Sequence, residues 1–216
     1  MQQSPAPPGH YVQPGRLEDF FKLQEQSVKK LSAKCEGFEL VGGFRSAFGD
    51  QDQAVHIYRY KNGFADTDNI LELRLTDSDV KQLESDVGKL CRVRRSVIMR
   101  SFSYWGDPQP RSDKHIYDLR SYVLKPGQMI EWGNNWVKGI TYRRDHNQDV
   151  GGWFSQIGQL YCVYHLWAYE SMDVRRRVRE HTWSKPGWDQ NVAYTVPLIS
   201  SMESKIMIPS SYSPLQ

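Results

Sequence analysis

The sequence holds few cysteines, and none of them is placed where sulfur chemistry would need it. Cys35, Cys91 and Cys162 are three in number, far apart and without a CxxC pair, which excludes a disulfide framework or thiolate zinc site and fits a reducing compartment. Long apolar runs are also missing, so no segment approaches the roughly 20 residues a membrane-spanning helix needs. Nor is there an excess of charge of one sign. The 28 basic and 25 acidic residues leave a formal net charge of +3, which gives little electrostatic reason to expect nucleic acid as a partner. Residues Met1 to Gly9 are rich in Pro, Gln and Ser and carry no Arg. They resemble neither an apolar secretory signal nor an Arg-rich mitochondrial leader and read as a disordered start.

What is present is a packed globular composition, with 39% apolar, 25% charged and 12% aromatic residues in a chain of 216. An internal repeat organises it. Val41-Gly42-Gly43-Phe44 recurs as Val150-Gly151-Gly152-Trp153, and His56-Ile57-Tyr58-Arg59-Tyr60 recurs as His165-Leu166-Trp167-Ala168-Tyr169, both offset by 109 residues. Tyr11-Val12-Gln13-Pro14-Gly15 matches the segment Tyr122 to Gly127, and Ser96-Val97-Ile98-Met99 matches Ser204 to Met207, within a few residues of that offset. The blocks keep their order, and the Gly- and Pro-bearing stretch from Trp105 to Arg111 lies between the copies. We therefore expect a first repeat over 10–104, a linker over 105–115 and a second repeat over 116–216.

In the second copy, alternation over Ile116 to Leu124 predicts a strand before the Pro126-Gly127 turn. Met129, Trp132, Trp136 and Ile140 fall at helical spacing. Gly133 and Gly139 each cost that helix about 1 kcal/mol, which implies a close backbone approach, expected to be to the sheet. A hairpin around Gly158 follows, in which Tyr164 and Leu166 face one way and Val163, His165, Trp167 and Tyr169 the other. Ser171 suits an N-cap for a helix to about Trp183, and Tyr194 to Ile208 reads as a last extended stretch interrupted at Pro197. The first copy repeats the order, with a helix from Leu17 to Leu31, strands over 40–48 and 53–60, a helix within 78–89 and a strand from Val93 to Phe102. Its opening strand is short, at His10-Tyr11-Val12. The order β-α-β-β-α-β is ferredoxin-like. Both sheet faces are apolar, so two such sheets packed together would bury both. The expected fold is α+β, with tandem ferredoxin-like repeats forming a pseudo-symmetric α+β barrel of the dimeric type within one chain.

From Phe102 onward the chain resembles the NipSnap family: Phe102-Ser103-Tyr104-Trp105, Pro108-Gln109-Pro110-Arg111, Met129 to Trp136, Val150 to Gly158, Tyr194 to Leu198 and Met202 to Pro209. The first half matches best at Gly49 to His56. The resemblance implies a dimeric α+β barrel, a mitochondrial location and a role in mitochondrial quality control through binding of autophagy receptors, with vesicle trafficking as a further role. Cytoplasm is the alternative location, because Met1 to Gly9 do not read as a leader. Peripheral membrane association and homo-oligomerisation stay open.

His56 and His165 are equivalent strand positions, followed on the same face by Tyr58 and Tyr60 and by Trp167 and Tyr169. If that face lined the barrel interior, the six side chains would form a pocket for a flat or apolar ligand with a histidine as proton acceptor. The plainer reading is a hydrogen-bonded histidine in an aromatic core. No HxH, HxxxH or paired-carboxylate pattern accompanies either histidine, so neither metal nor cofactor is assigned. The cysteines lack a histidine nearby in sequence, which argues against a thiol nucleophile. Arg175-Arg176-Arg177 with Arg179 reads as a solvated helix face ahead of a site for an anionic partner, Asp189 and Asn191 as turn formers, and Asn134-Asn135-Trp136 as a helix segment placed for packing or a helix N-terminal contact, with a site as the alternative. Two functions compete: a protein-binding module, favoured by the lack of an acid-base constellation, and a cofactor-free barrel enzyme or small-ligand carrier, since related barrels include monooxygenases.

Overall fold

A computed structural model describes residues 8–216. Most of the expected disordered start therefore lies outside the described residues, while Gly9 already opens the first strand. The first half runs β1 (Gly9–Val12), α1 (Leu17–Lys34), β2 (Phe38–Phe48), β3 (Gln53–Tyr60), α2 (Phe64–Thr76), α3 (Ser78–Lys89), β4 (Cys91–Arg95) and β5 (Ile98–Ser101). The second runs β6 (Ile116–Leu124), α4 (Met129–Thr141), β7 (Asp149–Ile157), β8 (Cys162–Tyr169), α5 (Met172–Trp183), α6 (Trp188–Thr195), a 3₁₀ turn (Val196–Leu198) and β9 (Ile199–Pro209).

The strands form one nine-stranded antiparallel sheet in the order β4-β1-β3-β2-β9-β6-β8-β7-β5. Each half thus shows the ferredoxin-like order, with its fourth strand beside its first. The halves are joined by their fourth strands. β9 pairs with β6 over most of its length, but its end, Ile206 to Pro209, pairs with β2 of the first half. The first half's fourth strand does the same in two pieces. β4 pairs with β1, then Ser96 and Val97 intervene, and β5 pairs with β7 of the second half. The two ends of the strand order are therefore continuous in the chain, and the sheet closes into the expected α+β barrel. The single strand expected from Val93 to Phe102 is in fact this broken one.

Two helices go beyond the sequence reading. α2 occupies a stretch left unassigned, and α6 occupies residues expected to be extended or turn, including Asp189, Asn191 and Tyr194. Gly187, at φ +91°, restarts the chain as a helix after the α5 stop. β1 is as short as expected, with four residues against nine in β6, and still pairs with both β3 and β4.

The Val-Gly-Gly-aromatic repeat has a structural cause. Both copies contain a register shift there, between Leu40 and Gly42 in β2 and between Asp149 and Gly151 in β7. A bulge changes which face later residues point to. It lets Val41 and Phe44, and likewise Val150 and Trp153, enter the same core despite odd spacing. That core fills the barrel interior with Ile57, Tyr117, Leu119, Tyr164, Leu166 and Met207 among others. At one end Lys205, fully buried, donates to Gln53 Oε1 at 2.5 Å and pairs with Glu203 at 3.3 Å. The helices cover the outside. α4 and α6 meet closely at Gly139, where a Cβ would approach Asn191 Nδ2 to 2.6 Å. The backbone approach expected at that glycine is thus to another helix, not to the sheet.

Candidate functional site

Strand alternation places His56, Tyr58 and Tyr60, and His165, Trp167 and Tyr169, on the side of the sheet that faces the helices. The barrel interior is lined by their neighbours instead: Val55 and Ile57, Tyr164, Leu166 and Ala168. The six side chains therefore do not meet in an interior pocket. They form two separate aromatic layers, one under α1, α2 and α3 and one under α4, α5 and α6.

In the first layer His56 packs against Phe20 and Phe21 of α1 and against His10 of β1. Its Nε2 shares a 2.7 Å hydrogen bond with the Tyr212 hydroxyl. Gln24 of α1 donates to the Tyr58 hydroxyl at 2.8 Å, and Tyr60 packs on Phe38. In the second layer His165 is completely buried, with Trp105 at 4.4 Å, Trp136 at 5.0 Å and Trp132 at 5.5 Å between ring centroids. Neither of its ring nitrogens has a hydrogen-bond partner among the described residues. Burial holds both imidazoles well below their ordinary pKa, helped by His10 at His56 and by Arg120 and Arg143 at His165. Both are neutral, and His165 is shut off from solvent while His56 is partly exposed.

The two rings share a backbone device. Gly43 lies opposite His56 across β2 and β3, and Gly152 lies opposite His165 across β7 and β8. A residue that follows a fourth strand then covers each ring: Trp105, after β5, fills the space a side chain at Gly152 would take and packs on His165, and Tyr212, after β9, stacks on His56. Because each fourth strand ends on the other half's sheet, each half caps the other half's histidine. Trp105, within the expected linker, is accordingly buried.

A different site opens on the outer edge of the second layer. A cleft of about 140 Å³ lies between α4, α5, α6 and strands β6 and β9. Aromatic walls come from Tyr122, Trp132, Trp136 and Trp188, and three arginines reach it: Arg120 from β6, Arg143 from just beyond α4 and Arg179 from α5. Arg120 sits opposite His165 in the strand register, and its Nε donates to Tyr122 Oη at 2.7 Å. Arg143 is 5% exposed. Its guanidinium lies over Trp167 at 4.4 Å and donates to Tyr169 Oη at 3.0 Å, while its Nε has no partner among the described residues. Burial and the like charges of Arg120, Arg143 and Arg175 bring the Arg179 pKa down to about 10.

The arginine run on α5 therefore divides. Arg176 and Arg177 are solvated and pair with Asp173, as a surface face would. Arg175 and Arg179 turn inward, and Arg175 pairs with the buried Asp118 at 2.8 Å. Their i, i+4 spacing beside Val174 and Val178 was the available signal. Asn134 is exposed and Asn135 donates to the Glu131 carbonyl, so of that trio only Trp136 reaches the cleft. The cysteines are free; burial raises the Cys91 and Cys162 thiols, which disfavours thiolate. Asp145, His146 and His181 bring potential ligand atoms within 4.8 Å of one another among the described residues. All three are exposed, and Lys185 already pairs with Asp145. No helix is long and apolar enough to cross a membrane among the described residues.

Barrel closure through exchanged fourth strands places the molecule among the dimeric-type α+β barrels. A putative monooxygenase from Lactobacillus acidophilus shares this fold with a TM-score of 0.64 and 12% identity, over 93% of this chain and 90% of that one. The NIPSNAP family model matches residues 10–103 and 117–214, and the chain belongs to that family. A putative NipSnap protein of Caenorhabditis elegans is 48% identical over 208 residues, and NipSnap homolog 1 of Danio rerio is 45% identical over 209. Each alignment covers 96% of this chain, which spans 40% of the length of the worm protein and 75% of the zebrafish one.

Proposed function

We propose that this chain is a protein-binding member of its family that acts in mitochondrial quality control by engaging autophagy receptors, with vesicle trafficking as a second setting. The observation that carries the binding role is a stripe on α2. Phe64, Leu71 and Leu75 are 59%, 50% and 73% exposed, and their spacing puts them on one side of the helix. Ile70, on the opposite side, is buried against the sheet and α3. Apolar side chains grouped in this way favour burial against another protein. The mitochondrial setting rests on the family resemblance.

The enzyme and carrier reading, framed around a His-aromatic interior, loses its premise once those six side chains lie under the helices and the barrel interior is packed. Likeness to a putative monooxygenase at 12% identity concerns the fold, and one fold hosts many chemistries. The test is capture of purified autophagy receptors by the intact chain and by a Leu71→Asp, Leu75→Asp variant. Capture by the wild type and its loss in the variant is the expected result. No capture by the wild type counts heavily against the proposal.

A further inference from the structure

The cleft beneath α5 and α6 contains more positive charge than the protein neutralises. Arg120, Arg143 and Arg179 all line it, and Arg175 lies close enough to depress Arg179. Asp118 is the one carboxylate paired with this group among the described residues, and it is already shared by Arg175 Nε at 2.8 Å, Arg120 Nη1 at 3.8 Å and Ser204 Oγ at 2.6 Å. Arg143 is nearly buried yet has no carboxylate partner and an unbonded Nε. Arg179 has no hydrogen bond or ion pair among the described residues. A buried cation without a counter-charge is costly, and proteins seldom leave one so unless something else supplies the charge.

The rest of the cleft limits what that something is. A bare inorganic anion would use the guanidinium groups and leave Trp136, Trp188 and Ile199 facing water. An apolar cavity of about 150 Å³ holds a benzene ring, which matches the volume here. Guanidinium groups bind a planar carboxylate through paired N–H donors. We propose that this cleft binds a small organic carboxylate whose apolar body is about the size of one ring, with Arg179 and Arg143 on the carboxylate and the tryptophans on the body. The site involves neither the barrel interior nor the α2 stripe, so it stands or falls separately from the protein-binding role.

Isothermal titration of the full chain with phenylacetate, phenylacetamide and inorganic phosphate tests this. Phenylacetate should bind, and the neutral amide and phosphate should each bind at least about tenfold more weakly, as expected when a charge-assisted hydrogen bond or the apolar contact is lost. Arg179→Gln should weaken phenylacetate by a similar factor. This side chain is unpaired, so the fold should be kept, as circular dichroism would verify. Val192→Trp fills the cleft without touching its charges and should abolish binding. Equal binding of acid and amide, equal binding of phosphate, unchanged affinity in Arg179→Gln, or no binding of phenylacetate at millimolar concentration would each overturn the proposal.

Discussion

His56 and His165 occupy the same position in two copies of one unit, yet the first keeps one hydrogen bond and the second has none among the described residues. Tyr212 gives His56 a hydroxyl at 2.7 Å, whereas Trp105 gives His165 only a tilted ring contact, with centroids 4.4 Å apart. The first layer is closed by apolar side chains such as Leu31, Phe38, Ile70 and Val80. The second carries arginines and a cleft in the corresponding helix layer. The duplication has thus preserved how the sheet is built, with glycine opposite histidine and an exchanged cap, while the chemistry above it has diverged. A shared scaffold position therefore does not imply a shared role.

The caps are where that comparison can be broken most visibly. Trp105→Ala empties a buried site and should cost about 3–5 kcal/mol in urea denaturation, while Tyr212→Ala, at a half-buried cap, should cost less; equal costs would mean that the two caps are equivalent after all. The glycines sharpen the same contrast at a smaller scale. A Cβ on Gly152 would overlap the Trp105 ring, whereas one on Gly43 would approach His56 Cδ2 to 3.0 Å and Ser210 Oγ to 3.1 Å. Gly152→Ala should therefore destabilise by about 3 kcal/mol and Gly43→Ala by about 1 kcal/mol; the reverse order would show that Trp105 yields easily.

The two layers also respond to pH. Burial lowers the pKa of His56 and His165, and that of His10 to about 4. An unfolded histidine takes up a proton below its ordinary value of about 6.5, while the folded one stays neutral, so acid favours the unfolded state. Their contribution is complete above that value and declines as pH falls, until the folded pKa is reached. Between pH 7 and pH 5 the loss is about 2 kcal/mol for a histidine such as His10. His165→Phe, which forfeits no hydrogen bond, should be tolerated at pH 7 and should reduce the acid loss. His56→Phe strands the Tyr212 hydroxyl and should cost about 1 kcal/mol at pH 7. A variant of His165 that loses as much between pH 7 and pH 5 as the wild type would refute its buried, neutral state.

Much of this architecture can be read in the residues. Matching blocks at a common offset announce the repeat, and alternation over Ile116 to Leu124 yields β6 to the residue. The misreadings have physical causes. In α2 Leu71, Leu73 and Leu75 alternate as in a strand and give no helical stripe facing the core, since only Ile70 and Asp66 are buried. α6 hides behind a Pro-Gly stop and the β-branched Thr195-Val196. Alternation correctly grouped His165 with Trp167 and Tyr169, but it is silent on which side of a sheet faces inward when both sides are apolar. The cleft was hidden because its arginines lie on three elements that only folding brings together.

The exchanged caps also bear on how the chain holds together. Neither half contains its own lid, so a cut between Trp105 and Ile116 would separate two pieces that each need the other's tail. In the intact chain a connection of roughly ten residues keeps each tail near its target at an effective concentration on the order of millimolar. The single chain is in this sense a dimer whose dissociation has been prevented by covalent tethering, and its two subunits were therefore free to become different.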